Sequence, residues 1–229
     1  MKNWNVDDVM TKAVVSVDES ASYRSVVDLL IENRFSAVPV VDDFHRVTGV
    51  VSETDLLRKI EYAGDTEPRL FEGRRRRGER GKALARRAGD LMTAPPVVVL
   101  TGTSIAAAAR LMDRESVKRL PVVDDLGRLI GVVSRGDLLK VHLRPDDEIR
   151  ADIVTGVLRP YLAGSATSVS VTVAEGVVRI DGHIERSSDV GLVFRLARRV
   201  AGVVEVSGAL SYEIDDNKVV GSGLPFGVA

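Results

Sequence analysis

The fold of this chain is decided by a stretch of sequence that occurs twice. The first copy reads Pro39-Val40-Val41-Asp42-Asp43 and continues at Gly49-Val50-Val51-Ser52-Glu53-Thr54-Asp55. The second copy reads Pro121-Val122-Val123-Asp124-Asp125 and continues at Gly131-Val132-Val133-Ser134-Arg135-Gly136-Asp137. Every residue of the second copy lies 82 positions after its counterpart. A repeat of this size is one structural unit, and two such units stack to bury a face that neither can hide alone.

Hydrophobic patterning predicts the order β-α-β-β-α in each copy. A short apolar strand comes first, at Val14–Val17 and again at Pro96–Leu100. Helical spacing of apolar residues follows at Tyr23–Asn33, and its counterpart Ile105–Arg114 is rich in alanine, a strong helix former. Two strands joined by a polar turn and a second helix with a Leu-Leu pair complete each unit.

The chain divides into five segments. They are the first repeat (1–63), a basic linker (64–88), the second repeat (89–144), a C-terminal domain (146–214) and a tail (215–229) that we expect to be disordered. The linker is expected to become helical from about Lys82 to Ala88. The C-terminal domain is predicted to follow the order α-β-β-α-β. Its helices are expected at Asp147–Ala163 and Glu185–Val200, and its strands at Val169–Val173, Val177–Gly182 and Val203–Tyr212. The whole chain is therefore of the mixed α+β (α/β) class.

Composition excludes several classes of protein. The chain has 229 residues, a net charge of −1 and no cysteine, which excludes disulfides and thiolate metal sites. The first residues carry no apolar core typical of a signal peptide, and no apolar run reaches the length of a membrane span. The three histidines, His45, His142 and His183, are isolated and show no metal-ligand spacing. We expect a cytoplasmic protein that is not an enzyme and holds no metal.

The motif Ser-x-x-Asp opens the second helix of each repeat, at Ser52 and Asp55 and again at Ser134 and Asp137. One interpretation is a helix-capping box, in which serine and an acidic residue satisfy free amide groups. The other is a nucleotide site, because the start of a helix after a strand attracts anions and an aspartate can accept both hydroxyls of a ribose. Both interpretations remain open on the sequence alone.

These motifs resemble the paired cystathionine-β-synthase (CBS) domain family, or Bateman module, over about Val6–His142 without the linker. The resemblance implies a regulatory module that binds adenosine-type ligands in two clefts: AMP, ADP, ATP, an S-adenosyl compound or an NADH-like molecule. It assigns ribose to Asp55 and Asp137, with Ser52 and Ser134 nearby. It further places a first adenine against Val14, Val15 and Val38, a second against Pro96, Val97 and Leu120, and phosphate on Lys118 and Arg119, assisted by Arg135. Ser36 and Ala37 replace the basic pair in the first copy, so the clefts are expected to be unequal, with the second copy's cleft the stronger.

The C-terminal domain resembles the BON domain family over about Asp146–Ile214. The residues that carry this resemblance are Val171–Gly182 and Val200–Ser207, including the pair Gly202-Val203. The family implies interaction with phospholipid or with a protein partner.

Two further roles stay open besides nucleotide sensing. The arginine-rich linker, with the run Arg74–Arg77, is expected to be mobile and offers charge for nucleic acid, although solubility is the favoured role. The C-terminal domain offers a role as a peripheral membrane adaptor. We also expect a homodimer, because Leu56-Leu57 and Leu138-Leu139 leave more apolar helical surface than one pair of repeats can bury.

Overall fold

The computed structural model describes residues 3–63, 81–162 and 168–216. The chain forms two compact units, an N-terminal unit of Asn5–Leu138 and a C-terminal unit made of Met1–Trp4 and Leu139–Ala229. The predicted mobile run Arg74–Arg77 and most of the predicted disordered tail lie outside the described residues. The division between the units at Leu138 falls a few residues before the boundary expected near Pro145.

Both repeats contain the predicted order β-α-β-β-α, and in each a short helix that was not predicted precedes the first strand. The first repeat comprises α1 (Val6–Val9), β1 (Val17–Asp18), α2 (Tyr23–Asn33), β2 (Ala37–Val41), β3 (Val47–Ser52) and α3 (Glu53–Glu61). The second comprises α4 (Ala88–Leu91), β4 (Val99–Leu100), α5 (Ile105–Arg114), β5 (Arg119–Val123), β6 (Leu129–Ser134) and α6 (Arg135–Leu139). The mixed α+β class is confirmed. Of the helix expected at Lys82–Ala88, residues 81–84 are helical.

Each repeat contains one three-stranded sheet, with the order β1-β2-β3 in the first and β4-β5-β6 in the second. The outer strand β1 or β4 runs parallel to the central strand, and β3 or β6 runs antiparallel to it. The first strands are shorter than predicted, since they begin only at Val17 and Val99. Of the residues before them, which the hydrophobic pattern assigned to strands, Val14 and Val15 line a cleft.

The segment that precedes each sheet packs on the other repeat. Thr11 and Val132 exchange two backbone hydrogen bonds of 2.9 and 3.0 Å, and Thr93 and Val50 do the same at 2.8 and 3.2 Å. Ala88 and Leu91 of α4 are fully buried in the core of the first repeat. The two repeats are therefore interlocked, and each sheet is completed by residues from the other half of the sequence.

The C-terminal unit combines helices with a four-stranded sheet. Its elements are a 3₁₀ turn (Lys140–Leu143), α7 (Asp146–Ile153), a π-helical segment (Val154–Leu158), α8 (Arg159–Tyr161), β7 (Val169–Ala174), β8 (Val177–Arg186), α9 (Ser187–Ala197), β9 (Glu205–Ser207) and β10 (Leu210–Ile214). Strand β8 pairs with β7 on one side and with both β9 and β10 on the other. Buried apolar side chains join the sheet to the helices, among them Ile149, Ile153, Val178, Ile180, Ile184 and Val193.

Two elements of this unit differ from the sequence prediction. The helix expected from Glu185 begins at Ser187, because Glu185 and Arg186 extend strand β8. The single strand expected at Val203–Tyr212 is two strands, separated near Gly208, whose φ of +131° a residue with a side chain rarely adopts. The start of the predicted tail is anchored, since Asp216 accepts hydrogen bonds from Ser187 and Ser188.

Candidate functional site

Asp137 and Ser134 line a cavity of about 260 Å³ in the N-terminal unit. Residues from both repeats form its wall: Thr11, Ala13, Val14, Val15, Phe35, Ala37, Pro39, Arg119, Val132, Ser134 and Asp137. We refer to this cavity as the Asp137 cleft. The interlocking of the repeats creates it, because the segment Thr11–Val15 is carried across to strand β6 by the bridge between Thr11 and Val132.

The Asp137 cleft has an apolar side and a polar side. Val14, Val15 and Pro39 supply flat aliphatic surface, and Phe35 supplies an aromatic ring. The guanidinium carbon of Arg119 lies 5.8 Å from the centre of that ring, within the range of a cation–π contact. A carboxylate, a hydroxyl, an apolar slot and a guanidinium therefore face one space, which is the set of groups that a nucleotide requires.

The Ser-x-x-Asp motif forms a capping interaction in both repeats. Oδ2 of Asp137 accepts hydrogen bonds from the Ser134 amide at 2.9 Å and the Ser134 hydroxyl at 2.6 Å. Oδ2 of Asp55 accepts the same two bonds from Ser52, at 2.9 and 2.6 Å. In each repeat, one carboxylate oxygen makes both hydrogen bonds of the cap. Helix capping therefore does not exclude a ligand at the same aspartate.

The corresponding cavity beside Ser52 has a volume of about 240 Å³ and a different character. Most of the residues that line it have polar or charged side chains; the full set is Ser36, Ala37, Val50, Ser52, Glu53, Thr54, Ser116, Val117, Lys118 and Arg119. We refer to it as the Ser52 cleft. Asp55 lies outside this wall, and its second oxygen, Oδ1, accepts a hydrogen bond of 2.5 Å from the ammonium group of Lys82. The two clefts are unequal in structure.

The structure brings only part of the predicted site together. Val14, Val15, Ser134, Asp137 and Arg119 surround the Asp137 cleft. Lys118, which the sequence grouped with Arg119 at one phosphate, lines the Ser52 cleft instead, while Arg119 borders both. The two basic residues therefore meet at the Ser52 cleft, and only Arg119 also reaches the Asp137 cleft.

Val38 and Leu120 do not line either cleft, contrary to the placement that the family resemblance implied. Both side chains are fully buried in the core. Alternation along strand β2 explains the difference, because Ala37 and Pro39 face the Asp137 cleft while Val38 faces the opposite side. Pro96 and Val97 are half-buried and Arg135 is exposed, and all three lie outside the walls of the two clefts.

Sequence reasoning missed Thr11, Phe35 and Pro39 as members of the Asp137 cleft. Thr11 belongs to the Met-Thr pair that occurs in both copies, so the repeat contained a signal for it. Phe35 has Val117 as its counterpart and is not repeated, so nothing in the duplicated motif indicated an aromatic ring at this position. Lys82 lies outside both repeats, in the segment assigned to the linker.

In residues 3–63, 81–162 and 168–216, no group of three or more His, Cys, Asp or Glu side chains is arranged to hold a metal ion. Across the same part of the chain, every helix is too short or too polar to cross a membrane. Location in the cytoplasm stays a prediction.

Comparison with known families identifies the repeats. The model of the CBS domain matches residues 6–62 and 88–144. The CBS domain-containing protein CBSX2 from the chloroplast of Arabidopsis thaliana is 33% identical over 153 residues, which cover 62% of this chain and 64% of that protein. The uncharacterized protein MJ1426 of Methanocaldococcus jannaschii is 31% identical, over 59% of this chain and 89% of that protein. The chain thus spans less than two thirds of the length of CBSX2.

A solved structure supports the same relationship. The crystal structure of CBSX2 in complex with AMP superposes on 61% of this chain and 97% of its own, with a TM-score of 0.55 and 35% sequence identity. That share of the chain corresponds in length to the two repeats.

Proposed function

The chain belongs to the CBS domain family, and on that premise we propose that its N-terminal unit is a regulatory module that binds an adenine nucleotide in the Asp137 cleft. The observation that carries the proposal is the convergence of Asp137, Ser134 and Arg119 with an apolar slot around one cavity. The relative CBSX2 has been crystallised with AMP. AMP is therefore the first ligand to test, followed by ADP, ATP and S-adenosyl compounds.

The groups of the Asp137 cleft suit the three parts of a nucleotide. Asp137 accepts hydrogen bonds from the ribose hydroxyls, and charge-assisted bonds of this kind are among the stronger ones in proteins. The aliphatic face of Val14 and Val15 packs against the purine ring. Arg119 donates to the phosphate, since its planar guanidinium matches phosphate geometry. The module undergoes no covalent chemistry in this proposal, and the bound nucleotide acts as a signal.

A thermal-shift screen tests this function. A ligand that binds only the native state raises the melting temperature by mass action. We expect AMP, or another compound of the adenosine panel, to raise the melting temperature of the full chain, whereas guanosine monophosphate at the same concentration leaves it unchanged. Failure of every adenosine compound to raise it at millimolar concentration would overturn the proposal.

We propose further that two copies of the chain associate through the groove between α2 and α3. Exposed apolar side chains line this groove, namely Ile31, Leu57 and Ile60, of which 72%, 56% and 71% of the surface is accessible. A second copy offers the same surface, and a symmetric dimer is the commonest way to bury such a face.

We assign the C-terminal unit the role of an interaction module of the BON type. Support comes from the order of its main elements, α7, β7, β8, α9 and β9, which agrees with the order expected of that family. Its partner is a protein or a phospholipid surface. Co-sedimentation of the full chain with anionic vesicles, compared with vesicles of neutral lipid only, distinguishes a phospholipid partner from a protein partner.

A further inference from the structure

The surfaces that α2 and α5 present at equivalent positions of the two repeats are opposite in charge. Asp28 and Glu32 of α2 correspond, at the offset of 82 positions, to Arg110 and Arg114 of α5. Glu32 and both arginines are exposed, and 47% of the Asp28 side chain is accessible to solvent. The first repeat therefore has an acidic face where the second repeat has a basic one.

The basic face of the second repeat is also a groove. Strand β4 and the side of α5 next to it enclose a cavity of about 590 Å³, which we call the β4–α5 groove. Half of the surface of Leu100 (51%) is accessible there. None of the residues that line the groove is acidic. Its apolar and charged parts include Val99, Leu100, Ala107, Leu111, Arg110 and Arg114. An apolar groove bordered by arginines suits an amphipathic helix that carries acidic residues.

Helix α2 carries its acidic residues at the spacing of the two arginines. Asp28 and Glu32 are four residues apart in one helix, as are Arg110 and Arg114, and residues at this spacing lie on one helix face, about 5–6 Å apart. Two such helices that run antiparallel can therefore pair Asp28 with Arg114 and Glu32 with Arg110 at the same time. Neither acidic residue lines the groove between α2 and α3, so this face is separate from the surface proposed for the symmetric dimer.

The ion pairs that these charges already make do not prevent a contact with a partner. Arg24 pairs with Asp28 at 3.0 Å, and Arg114 pairs with Glu115 at 2.8 Å. The two arginine side chains are 85% and 73% accessible, and ion pairs this exposed contribute little to stability. Within the described part of the chain, Arg110 makes no ion pair. The basic face thus keeps its charge available to an acidic surface.

We propose that the β4–α5 groove receives helix α2 of a second copy, so that the second repeat of one chain binds the first repeat of the next. The contact joins two different surfaces and involves no nucleotide. Such a contact either closes into a ring or adds further copies, unlike the symmetric dimer through the groove between α2 and α3. Because the paired charges are exposed, the contact weakens as salt is added.

Light scattering of the full chain tests this contact. The background is Ile60→Glu, a substitution in the groove proposed for the symmetric dimer, so that association reports on the β4–α5 groove. At roughly 0.01 M salt, where charges act over about 30 Å, we expect the mean mass to rise with protein concentration. At roughly 1 M salt, where they act over about 3 Å, the mass should stay that of a monomer. The double reversal Arg110→Glu with Arg114→Glu should abolish the rise at low salt.

An exchange of the two charge pairs tests complementarity directly. Adding Asp28→Arg and Glu32→Arg to the reversed chain restores the net charge of the background and every pair of opposite sign, so association should return. Arg195→Glu with Arg199→Glu is the matched control, because it changes the net charge equally but lies in the C-terminal unit. Circular dichroism checks that each variant is folded. If the fourfold variant does not fold, a mixture of the two double variants replaces it, since each offers the face that the other needs.

Three results would overturn the inference. In the first, the Ile60→Glu chain stays monomeric at low salt across micromolar to millimolar concentrations. In the second, the control reversal in the C-terminal unit reduces association as much as the reversal in the groove, which would show an effect of net charge alone. In the third, the exchanged charges do not restore association, so the groove binds another acidic partner or none. AMP is absent throughout, so these results leave the proposed nucleotide site to its own test.

Discussion

The side chain of Met92 occupies the space that a β-carbon on Gly49 would need. Its Cγ and Cβ atoms lie 2.7 and 2.9 Å from that position, and its sulfur is closer still. The same relationship joins Met10 to Gly131 in the other half of the N-terminal unit. Glycine at the second strand of each hairpin therefore lets the preceding segment of the other repeat lie flat against the sheet.

We predict that Gly49→Ala destabilises the N-terminal unit by roughly 1–3 kcal/mol, the usual cost of forcing extra volume into a packed site. Urea unfolding measures the change. Met92→Ala removes the sulfur and Cγ and leaves only Cβ, at 2.9 Å, so the cost of Gly49→Ala should fall in part in that background. Gly136→Ala is the control, because the nearest atom to its added carbon lies at 3.7 Å, an ordinary contact distance. Equal costs of Gly49→Ala with and without Met92 would contradict the packing argument.

The sequence predicted the repeat, its element order and the pairing of Ser134 with Asp137 because each depends on local pattern or on a fixed offset. It did not predict that Val14 and Val15 would meet Asp137 rather than Asp55. Val14 and Val15 lie beside Asp137 because the segment before each sheet packs on the other repeat. Since the Ser-x-x-Asp motif occurs in both repeats, the sequence does not show which of the two aspartates a given segment contacts. The sequence also could not show that Val38 faces the core, since an unbroken run of apolar residues does not indicate which of them face the cleft.

The ion pair between Lys82 and Asp55 could not be predicted from the repeat pattern. Lys82 belongs to no repeat, and only the docked backbone at Ala83 and Ala85 brings it to Asp55. The absence of a basic pair in the first copy indicated unequal clefts, and the two cavities do differ in the residues that line them.

Arg119→Ala should weaken binding of AMP and leave binding of adenosine nearly unchanged. The phosphate loses a hydrogen bond to a charged group, worth roughly 1.5–3 kcal/mol, which corresponds to about tenfold or more in affinity. Titration of both ligands gives the comparison. Arg114→Ala, on the exposed end of α5, is the matched control. A parallel loss of adenosine binding would show that Arg119 acts on the shape of the cleft rather than on the phosphate.

Asp216 should make the stability of the C-terminal unit depend on pH. Hydrogen bonds from the Ser188 hydroxyl and amide and from the Ser187 hydroxyl lower the pKa of Asp216 from 3.8 to about 2. The folded state favours the charged form, so its stabilisation is present above pH 3.8 and is lost as the pH falls toward 2. Urea unfolding should show Asp216→Asn less stable than wild type at neutral pH, with the difference shrinking in acid. A difference that is constant over this range would contradict the assignment.

A charged residue placed in the groove between α2 and α3 should change the oligomeric state of the chain. Ile60→Glu places a charge on the surface that we propose is buried between two copies of the chain. Because burying this charge is unfavourable, the substitution should convert the dimer into a monomer. Light scattering coupled to size-exclusion chromatography measures the mass. Asp43→Lys, a charge change at a turn away from the groove, should leave the dimer intact. A monomeric wild-type chain across micromolar concentrations would contradict the dimer.

The most direct test of nucleotide binding is the affinity of AMP for the Asp137→Ala variant of the otherwise unchanged chain. Loss of hydrogen bonds to the ribose, each worth roughly 1.5–3 kcal/mol, should lower the affinity by well over tenfold. Asp124→Ala is the control, because Asp124 stabilises a turn of the same repeat through the amides of Leu126 and Arg128 and lies outside the cleft. The account predicts weak binding in Asp137→Ala and normal binding in Asp124→Ala. If Asp137→Ala lowers the melting temperature but binds AMP as wild type does, Asp137 only caps its helix and the ribose assignment is wrong.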